Sequence, residues 1–508
     1  IAEKIESFLD TSSIKLLDEL REKIPVKVWE LEAIPDVGPK TIKLLYQELG
    51  ITDLDSLEKA LKEGRLDGLK GMGKKTIANI ANGIEIARAG TSRTLLADAM
   101  PVAEHVVEQL KKIPEVRQIT IAGSLRRRRE TIGDIDILVN ASDSSKIMDA
   151  FVNVEGVADT IARGPTKSSI RMKDGLQIDL RILPTESFGA GLQYFTGNVD
   201  HNVKLRSICR KMNLRLNEYG LFRSKEQIAG HDEAGIYKAI GLDFIPPELR
   251  EDMGEIEAAQ EGNLPELITL NDIRGDLHSH TDQSDGTNTI YEMLDAVSKK
   301  KYEYYCISDH TKSLTIANGL DEERVLKSIE EIDKINASGR WKVKVLKGAE
   351  VDILANGDLD LDESVLEQLD VITLSIHSRM KDTKGVMTER VCRAMGSKFA
   401  HILGHPTGRL LLKRPEFEID LEKVFEAAKE NNVIMELNAN PERLDLNVGN
   451  LGAAKRWGLR IAINTDAHKI TDLDLMQFGV FQARRGWITE EDVVNTFPLK
   501  KLMKTIRK

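Results

Sequence analysis

Apolar residues recur every three or four positions through Asp321–Ser338 and Leu421–Asn431, a spacing that predicts amphipathic helices with one buried stripe. From Arg274 onward such helices alternate with short apolar runs, Ile461-Ala462-Ile463 among them. That alternation predicts a parallel α/β unit of barrel type. The front of the chain has another rhythm. Residues 1–92 predict short helices cut by Gly/Pro turns, and two of those turns, Ile34–Thr41 and Leu69–Thr76, resemble each other. Strand-like segments follow at Gln118–Ala122, Asp134–Val139, Ser168–Met172 and Gln177–Ile182. Helix returns over 190–260 and stops at Ile245-Pro246-Pro247. The acidic stretch Glu257–Asn271 has no strong period and reads as a linker.

Composition narrows this picture only a little. A length of 508 residues requires at least two domains. No apolar run approaches a membrane span, and no signal-peptide pattern is visible. Cys209, Cys306 and Cys392 are odd in number and far apart, which predicts small apolar fillers in a reducing cytosol. The net charge is −10, and residues 1–260 carry 37 Lys and Arg against 41 Asp and Glu. Any nucleic-acid contact must therefore come from local patches and backbone amides. The first residue is Ile, which predicts a missing upstream segment.

Candidate chemistry changes the picture far more. Six of the ten histidines fall in one series: His278-x-His280, His310, His377, His405 and His468, interleaved with Asp285, Glu350 and Asp466. Residues i and i+2 of a strand point the same way, so each x-spaced pair aims two ligands into one cavity. At successive strand ends they would meet on the C-terminal face of a barrel. Imidazole with carboxylate and no thiolate suits Zn, Mn, Fe or Mg in oxygen chemistry. Nine ligands exceed one ion and fit two or three, which predicts metal-assisted hydrolysis of a phosphoester. Asp309, adjacent to His310, would face away and support it, and His401 reads as structural.

Upstream, Gly123-Ser124-Leu-Arg126-Arg127-Arg128-Arg129 leads into Gly133-Asp134-Ile-Asp136. Asp134 and Asp136 share a strand face, Asp179 offers a third carboxylate, and Gly-Ser with Arg can cradle a triphosphate. Alone, the arginines would be a solvated charge run and Asp-x-Asp a turn; together they predict a site. The two hairpin turns expose backbone amides at helix starts, at Gly38, Gly71 and Gly73, with Lys40, Lys74 and Lys75 nearby. One copy would be an ordinary interhelical turn. Two copies predict sequence-independent gripping of a nucleic-acid backbone.

GSLRRRRETIGDIDILV, IDLRI, YFTGNVDHNVKLR, LNEYGLF and IPPELRED, with both hairpins, resemble the family X DNA polymerases up to about Glu255. DLHSHTDQSDG, ISDHT, GAEVDI, SIHS, GHPTG and NTDAH resemble the PHP phosphoesterase domain. The resemblance implies a mixed fold: a remnant of a lyase domain (1–25), helix-hairpin-helix fingers (26–100), a nucleotidyltransferase palm (101–205), a thumb (206–256), a linker (257–271) and a (βα) PHP barrel (272–508). It implies that Asp134, Asp136 and Asp179 hold two Mg²⁺ or Mn²⁺ ions. Gly123, Ser124, Arg127 and Gly133 would take the triphosphate. Tyr194, Phe195 and Gly197 would pack under the sugar and exclude a 2′-OH, while Asn202 and Arg206 approach the base pair and the template strand. In the barrel all nine positions match ligands, for two or three Mn²⁺, Zn²⁺ or Fe ions, with Glu350 as the bridging carboxylate.

The implied function is a DNA repair polymerase that adds dNTPs at a primer 3′-OH in short gaps, with a 3′-5′ exonuclease. Abasic-site endonuclease or 3′-phosphatase activity is a further implied option. Its partners would be gapped or primer-template DNA and dNTPs, with no membrane, as a monomer in the cytoplasm and at the nucleoid. Lys4 stands at the position of the family's Schiff-base lysine, but reads as an exposed helical lysine. Among the remaining histidines, His201 is expected to touch DNA or nucleotide. Two departures stand out: Arg128 replaces a frequent Gly, and Gln177 replaces an Arg beside the third aspartate. Two other readings remain, a small-molecule phosphatase tethered to DNA and a non-catalytic DNA-end scaffold.

Overall fold

A computed structural model describes residues 26–506 apart from 33, 35, 36, 70, 74, 75, 79, 82, 85–92 and 142. Contacts divide the chain into two compact units, one formed by residues 1–93 with 412–414 and the other by 94–411 with 415–508.

In the first unit, helices Pro39–Leu49 and Leu54–Lys62 pack around Leu31, Ile34, Leu45, Ile51 and Leu57. Gly38 is the N-cap residue of the first, with proline just inside the helix. Gly50 closes that helix in the left-handed conformation, where an L side chain would be strained. Asp53 and Ser56 form a capping box at the start of the next.

The second unit opens with a five-stranded sheet. Its strands are β1 (Val116–Ile121), β2 (Asp134–Ala141), β3 (Val157–Arg163), β4 (Lys167–Met172) and β5 (Gln177–Ile182), in the order β1-β2-β5-β4-β3. β2 and β5 run parallel and pair Asp136 with Asp179. Helices α1 (Leu96–Lys111) and α2 (Ser144–Val152) bury Ala103, Val106, Ile147 and Phe151 against Ile135, Ile137 and Val139 of β2.

Two helices follow, α3 (Phe188–Thr196) and α4 (Val199–Lys211), and then the small antiparallel sheet β6 (Arg215–Asn217), β7 (Gly220–Arg223) and β8 (Glu226–Ala229). α3 meets this region backbone to backbone: Gly189 N donates to the His231 carbonyl at 3.1 Å, and a Cβ on Gly189 would lie 2.2 Å from Asp232 Cα. The fully buried Arg250 pairs with Glu233 at 2.6 Å, and Glu233 also binds Arg126 of the palm. Removing one partner from such a set costs about 3–5 kcal/mol. Glu257–Asn271 carries more structure than its weak pattern predicts. It starts inside helix Glu255–Glu261, and Leu264 and Leu267 pack onto the core of this region.

The last part is a parallel barrel of seven strands in chain order: β9 (Gly275–Asp276), β10 (Tyr304–Ile307), β11 (Lys344–Asp352), β12 (Val371–Ser375), β13 (Ile402–Leu403), β14 (Ile434–Asn438) and β15 (Ile461–Asn464). A bridge between Ser279 and Ala467, with His280 N on the Ala467 carbonyl at 2.8 Å, joins the two edges. The expected helices appear as Glu322–Ser338, capped by Asp321, and Leu421–Glu430. One end of the barrel is filled by Tyr304, Cys306, Leu346, Val371, Ile402, Ile434 and Ala462, and covered by Leu502 and Ile506 of the final helix. Cys209 and Cys306 are buried and Cys392 half-buried; all three are free.

Candidate active sites

The nine predicted ligands leave the barrel at the C-terminal ends of its strands. His278 and His280 follow β9, His310 follows β10, Glu350 lies two residues before the end of β11, His377 follows β12, His405 follows β13, and Asp466 and His468 follow β15. Asp285 arrives on the loop after His280. Glu350 is the hub, with its carboxylate 2.7 Å from His310, 2.9 Å from His405, 3.3 Å from His278, 3.4 Å from His377 and 3.5 Å from His280. Asp466 lies 3.1 Å from His280, and Asp285 3.3 Å from His468.

Eight of the nine fall into three groups compact enough for an ion: His280-Asp285-His310-His468, His278-His280-Asp466 and His310-Glu350-His377. His405 stands outside these groups but touches Glu350. His278 Nε2, His280 Nδ1, His310 Nδ1 and Glu350 Oε2 are buried without a hydrogen-bond partner. Buried polar atoms left unpaired are costly, and four that converge on one centre fit divalent cations.

Burial alone would raise Glu350, yet His310, His278 and His377 hold its carboxyl well below the usual range. His377, opposed by burial, is lifted to about 10 by Glu350 and Asp352. His280 goes the other way, down to about 3, through burial and then the charges of His310 and His468.

A second layer of side chains aims the first, and the sequence reading missed most of it. Glu436, fully buried in β14, meets His278 Nδ1 at 2.8 Å and accepts from the His405 backbone N–H at 2.6 Å. Asn464 donates at 2.9 Å to the same Glu436 oxygen that His278 meets. Asp352 lies 3.3 Å from His377 Nδ1, and Asn438 donates to Asp466 at 3.0 Å. These bonds select which ring nitrogen faces the centre. A carboxylate inside the apolar run Ile434-Met435-Glu436-Leu437 was the available signal. Asp309 accepts from Thr281 N, Thr281 Oγ1 and Ser284 Oγ at 2.6–2.8 Å, which braces the loop between His280 and Asp285. His401 serves the fold: its Nδ1 accepts from Ile372 N at 3.0 Å.

In the palm, Asp134 and Asp136 begin β2 and Asp179 lies across from Asp136 on β5. Burial, then Asp134 and Asp179, push Asp136 up to about 7. Burial works against Asp179 too, but Lys167 and Gln177 reach its two oxygens at 2.9 Å each and hold it low. Gly123 has φ +62°, and a Cβ there would lie 2.5 Å from Asp136 Oδ2, so the glycine lets the turn approach the carboxylate. Ser124 continues this helical turn, and Gly133 precedes Asp134.

Arg127 is not free. It pairs with Glu251 at 3.0 Å and donates to the Thr196 carbonyl, while Arg129 and Asn198 also bind Glu251, at 3.2 and 3.1 Å. Tyr194 and Phe195 stack edge to face at 5.1 Å, with Arg181 over Phe195, and Gly197 ends α3 at φ +69°. Asn202 is buried and donates to the Tyr194 carbonyl at 2.8 Å, and Arg206 is half-buried on the same α4. His201 corrects an expectation. It is fully buried between Glu255 at 2.6 Å and Tyr237 at 3.0 Å, and therefore touches no ligand.

The departure at Arg128 also finds a reason. Its φ is +56°, the conformation that suits Gly, and its guanidinium lies 4.2 Å from the Phe481 ring on α5 (Met476–Arg485), a helix of the barrel module. Of the hairpin residues, Gly38, Lys40, Gly71 and Gly73 are exposed, and Gly71 has φ +89°. Lys74, Lys75 and Lys4 lie outside the described residues.

Comparison with known proteins gives three family matches: DNA polymerase beta palm over residues 97–215, DNA polymerase beta thumb over 191–251 and PHP domain over 276–440. "DNA polymerase/3'-5' exonuclease PolX" of Bacillus subtilis is 37% identical over 500 residues, covering 98% of this chain and 87% of the relative. A protein named "Probable phosphatase" from Thermoanaerobacter sp. (strain X514) is 31% identical over 233 residues, covering 44% of this chain and 89% of its own length. A solved Leishmania infantum polymerase beta is 19% identical and covers 44% of this chain at a TM-score of 0.30, a likeness too slight to bear on the fold.

Proposed function

The chain belongs to the family X DNA polymerases that carry a PHP domain, the PolX enzymes, and from that premise we propose that it fills short DNA gaps and trims 3′ ends at a separate barrel site. Its modules are a lyase-like segment (1–25), fingers (26–100), palm (101–205), thumb (206–256), connector (257–271) and PHP domain (272–508). It acts as a monomer in the cytoplasm, at the nucleoid when on gapped or primer-template DNA, with dNTPs as substrates.

The gathering of five histidines around the fully buried Glu350 carboxylate, with His278 Nε2 and His310 Nδ1 facing its Oε2, carries the hydrolytic half of this reading. His278, His280, Asp285, His310, Glu350, His377, His405, Asp466 and His468 hold two or three Mn²⁺, Zn²⁺ or Fe ions. Divalent cations supply Lewis acidity toward a phosphoryl oxygen. The chain's own part is to fix ring orientation through Glu436 and Asp352, and to close the centre against loss of geometry. In the palm, Asp134, Asp136 and Asp179 hold two Mg²⁺ or Mn²⁺ ions. Gly123, Ser124 and Gly133 offer close backbone approach to the triphosphate, and Arg127 turns to it from Glu251. Tyr194, Phe195 and Gly197 wall the sugar, Asn202 and Arg206 face the base pair and template, and Gly38, Lys40, Gly71, Gly73 and Lys74 grip the DNA backbone.

The likeness to proteins named as phosphatases favours one rival, a barrel that hydrolyses small phosphomonoesters. Release from a labelled DNA 3′ end, measured beside release from free phosphomonoesters, separates the two. The expected result is preference for the DNA end, and equal or better hydrolysis of small esters would overturn it. Asp179→Ala is expected to abolish nucleotide addition and spare trimming, and His280→Ala to do the reverse. If either change removed both activities, the two-site reading would fail.

A further inference from the structure

Glu130 lies in the palm between the Arg126–Arg129 run and β2, yet its carboxylate is held by the barrel module. Arg409 Nη2 donates to it at 2.7 Å, and Gln482 Nε2 donates as well. Arg409, itself buried, passes the contact on through Nε to the Arg443 carbonyl at 2.8 Å and through Nη2 to the Leu444 carbonyl.

The segment 440–446 stands behind two of the proposed metal ligands. Asp445 accepts from Thr407 N, Thr407 Oγ1 and Gly408 N, each at 2.9 Å, directly after His405. Arg443 Nε lies 3.7 Å from Asp466 Oδ2. Both ligands carry a backbone that side chains resist, with φ +25° at His405 and +53° at Asp466. Such conformations persist only where the surroundings over-determine them. The bracket formed by 440–446 supplies that restraint, and Glu130 is the acidic partner of the arginine that anchors the bracket. Taking the carboxylate away removes the ion-pair partner of a buried guanidinium that holds these carbonyls.

We propose that Glu130 is a positioning residue for the PHP metal centre, acting through Arg409 and the 440–446 bracket on His405 and Asp466. The inference rests on the reading of the nine barrel residues as metal ligands. It makes the affinity of the barrel for metal depend on a carboxylate of the palm, in the loop next to the triphosphate cradle.

The test is Mn²⁺ titration by calorimetry on the metal-stripped full chain, with the melting temperature of the metal-free protein as a control. Glu130→Ala is expected to weaken Mn²⁺ binding by about 10–100-fold, the range seen when supporting partners of metal ligands are removed. Glu130→Gln, which still accepts from Arg409, should fall between this variant and wild type. Unchanged Mn²⁺ affinity in Glu130→Ala would overturn the proposal. If that variant does not fold, Glu130→Gln decides: weakened Mn²⁺ binding in the folded protein supports the link, and wild-type affinity overturns it. A wild-type chain that binds Mn²⁺ but leaves DNA 3′ ends intact would remove the exonuclease reading and leave this inference standing. A wild-type chain that binds no Mn²⁺ would remove it.

Discussion

In the palm, three aspartates face one another with Lys167 and Gln177 leaning on only one of them, and Asp134 is exposed. In the barrel, two buried carboxylates, Glu350 and Asp466, are matched by histidines on nearly every side, and those histidines are themselves braced. The palm site carries an electrostatic imbalance, visible in Asp136 at about 7. The barrel site is balanced internally, so Glu350 stays far below the ordinary range despite full burial. The contrast separates a site of unmatched carboxylates from one whose carboxylates are matched and braced. Rigidity of support, more than ligand count, marks the second kind.

Glu350→Gln should break this contrast most. It keeps the shape but removes the charge that five histidines share, so trimming should fall by about three orders of magnitude, the several kcal/mol of lost metal and transition-state stabilisation. Nucleotide addition by the same sample should be unaffected, and metal content after dialysis should drop. A variant that kept its metal and trimmed at more than a tenth of the normal rate would show that the hub is not essential.

Asp136→Asn probes the palm side, where removing charge should stabilise. Because the folded-state pKa is raised from 3.8 to about 7, the ionised carboxylate opposes folding above pH 7. As pH falls from 7 towards 4, the folded protein takes up the proton first and the penalty disappears. The substitution should therefore raise metal-free stability at pH 8 by up to about 4 kcal/mol, and by little at pH 4. Urea unfolding in chelator at the two pH values measures this. Equal effects at both would mean that burial and the neighbouring aspartates do not raise this carboxyl.

Arg128→Gly should have the smallest effect. Relief of the left-handed backbone, about 1 kcal/mol, offsets loss of the Phe481 contact, roughly 0.5–1 kcal/mol. The melting temperature should stay within a few degrees of wild type. Arg128→Ala, which keeps the strain and loses the contact, should be the less stable of the two.

How much of this was legible varies with the kind of signal. His278-x-His280 and Asp466-x-His468 could be read because histidine is scarce and the second pair follows an apolar run. Both nevertheless lie beyond their strands, and Asp466, at φ +53°, departs from the extended i, i+2 geometry. Strand β5 appears at the predicted Gln177–Ile182, and β2 starts at the predicted Asp134 and runs on to Ala141. Glu436 escaped notice because its run reads as an ordinary buried strand, and only its mismatch with apolar neighbours hints at a task. His201 misled because a histidine beside a nucleotide motif looks functional, while its partners Tyr237 and Glu255 lie 36 and 54 residues away. Glu130 with Arg409 is hidden in the same way, 279 residues apart. Long-range pairs leave no local period to read.

The strand order of the barrel follows chain order, and its two ends close on each other where the His280 and His468 rings stack at 4.2 Å. That closure gives the metal centre a birth order. The first ligand, His278, leaves synthesis about 190 residues before the last, His468. At about 5–20 residues per second this is a wait of roughly 10–40 s. During it the early histidines await Asp466 and His468, so an ion captured then rests on a partial set. Final loading belongs to the last moments of translation or after it.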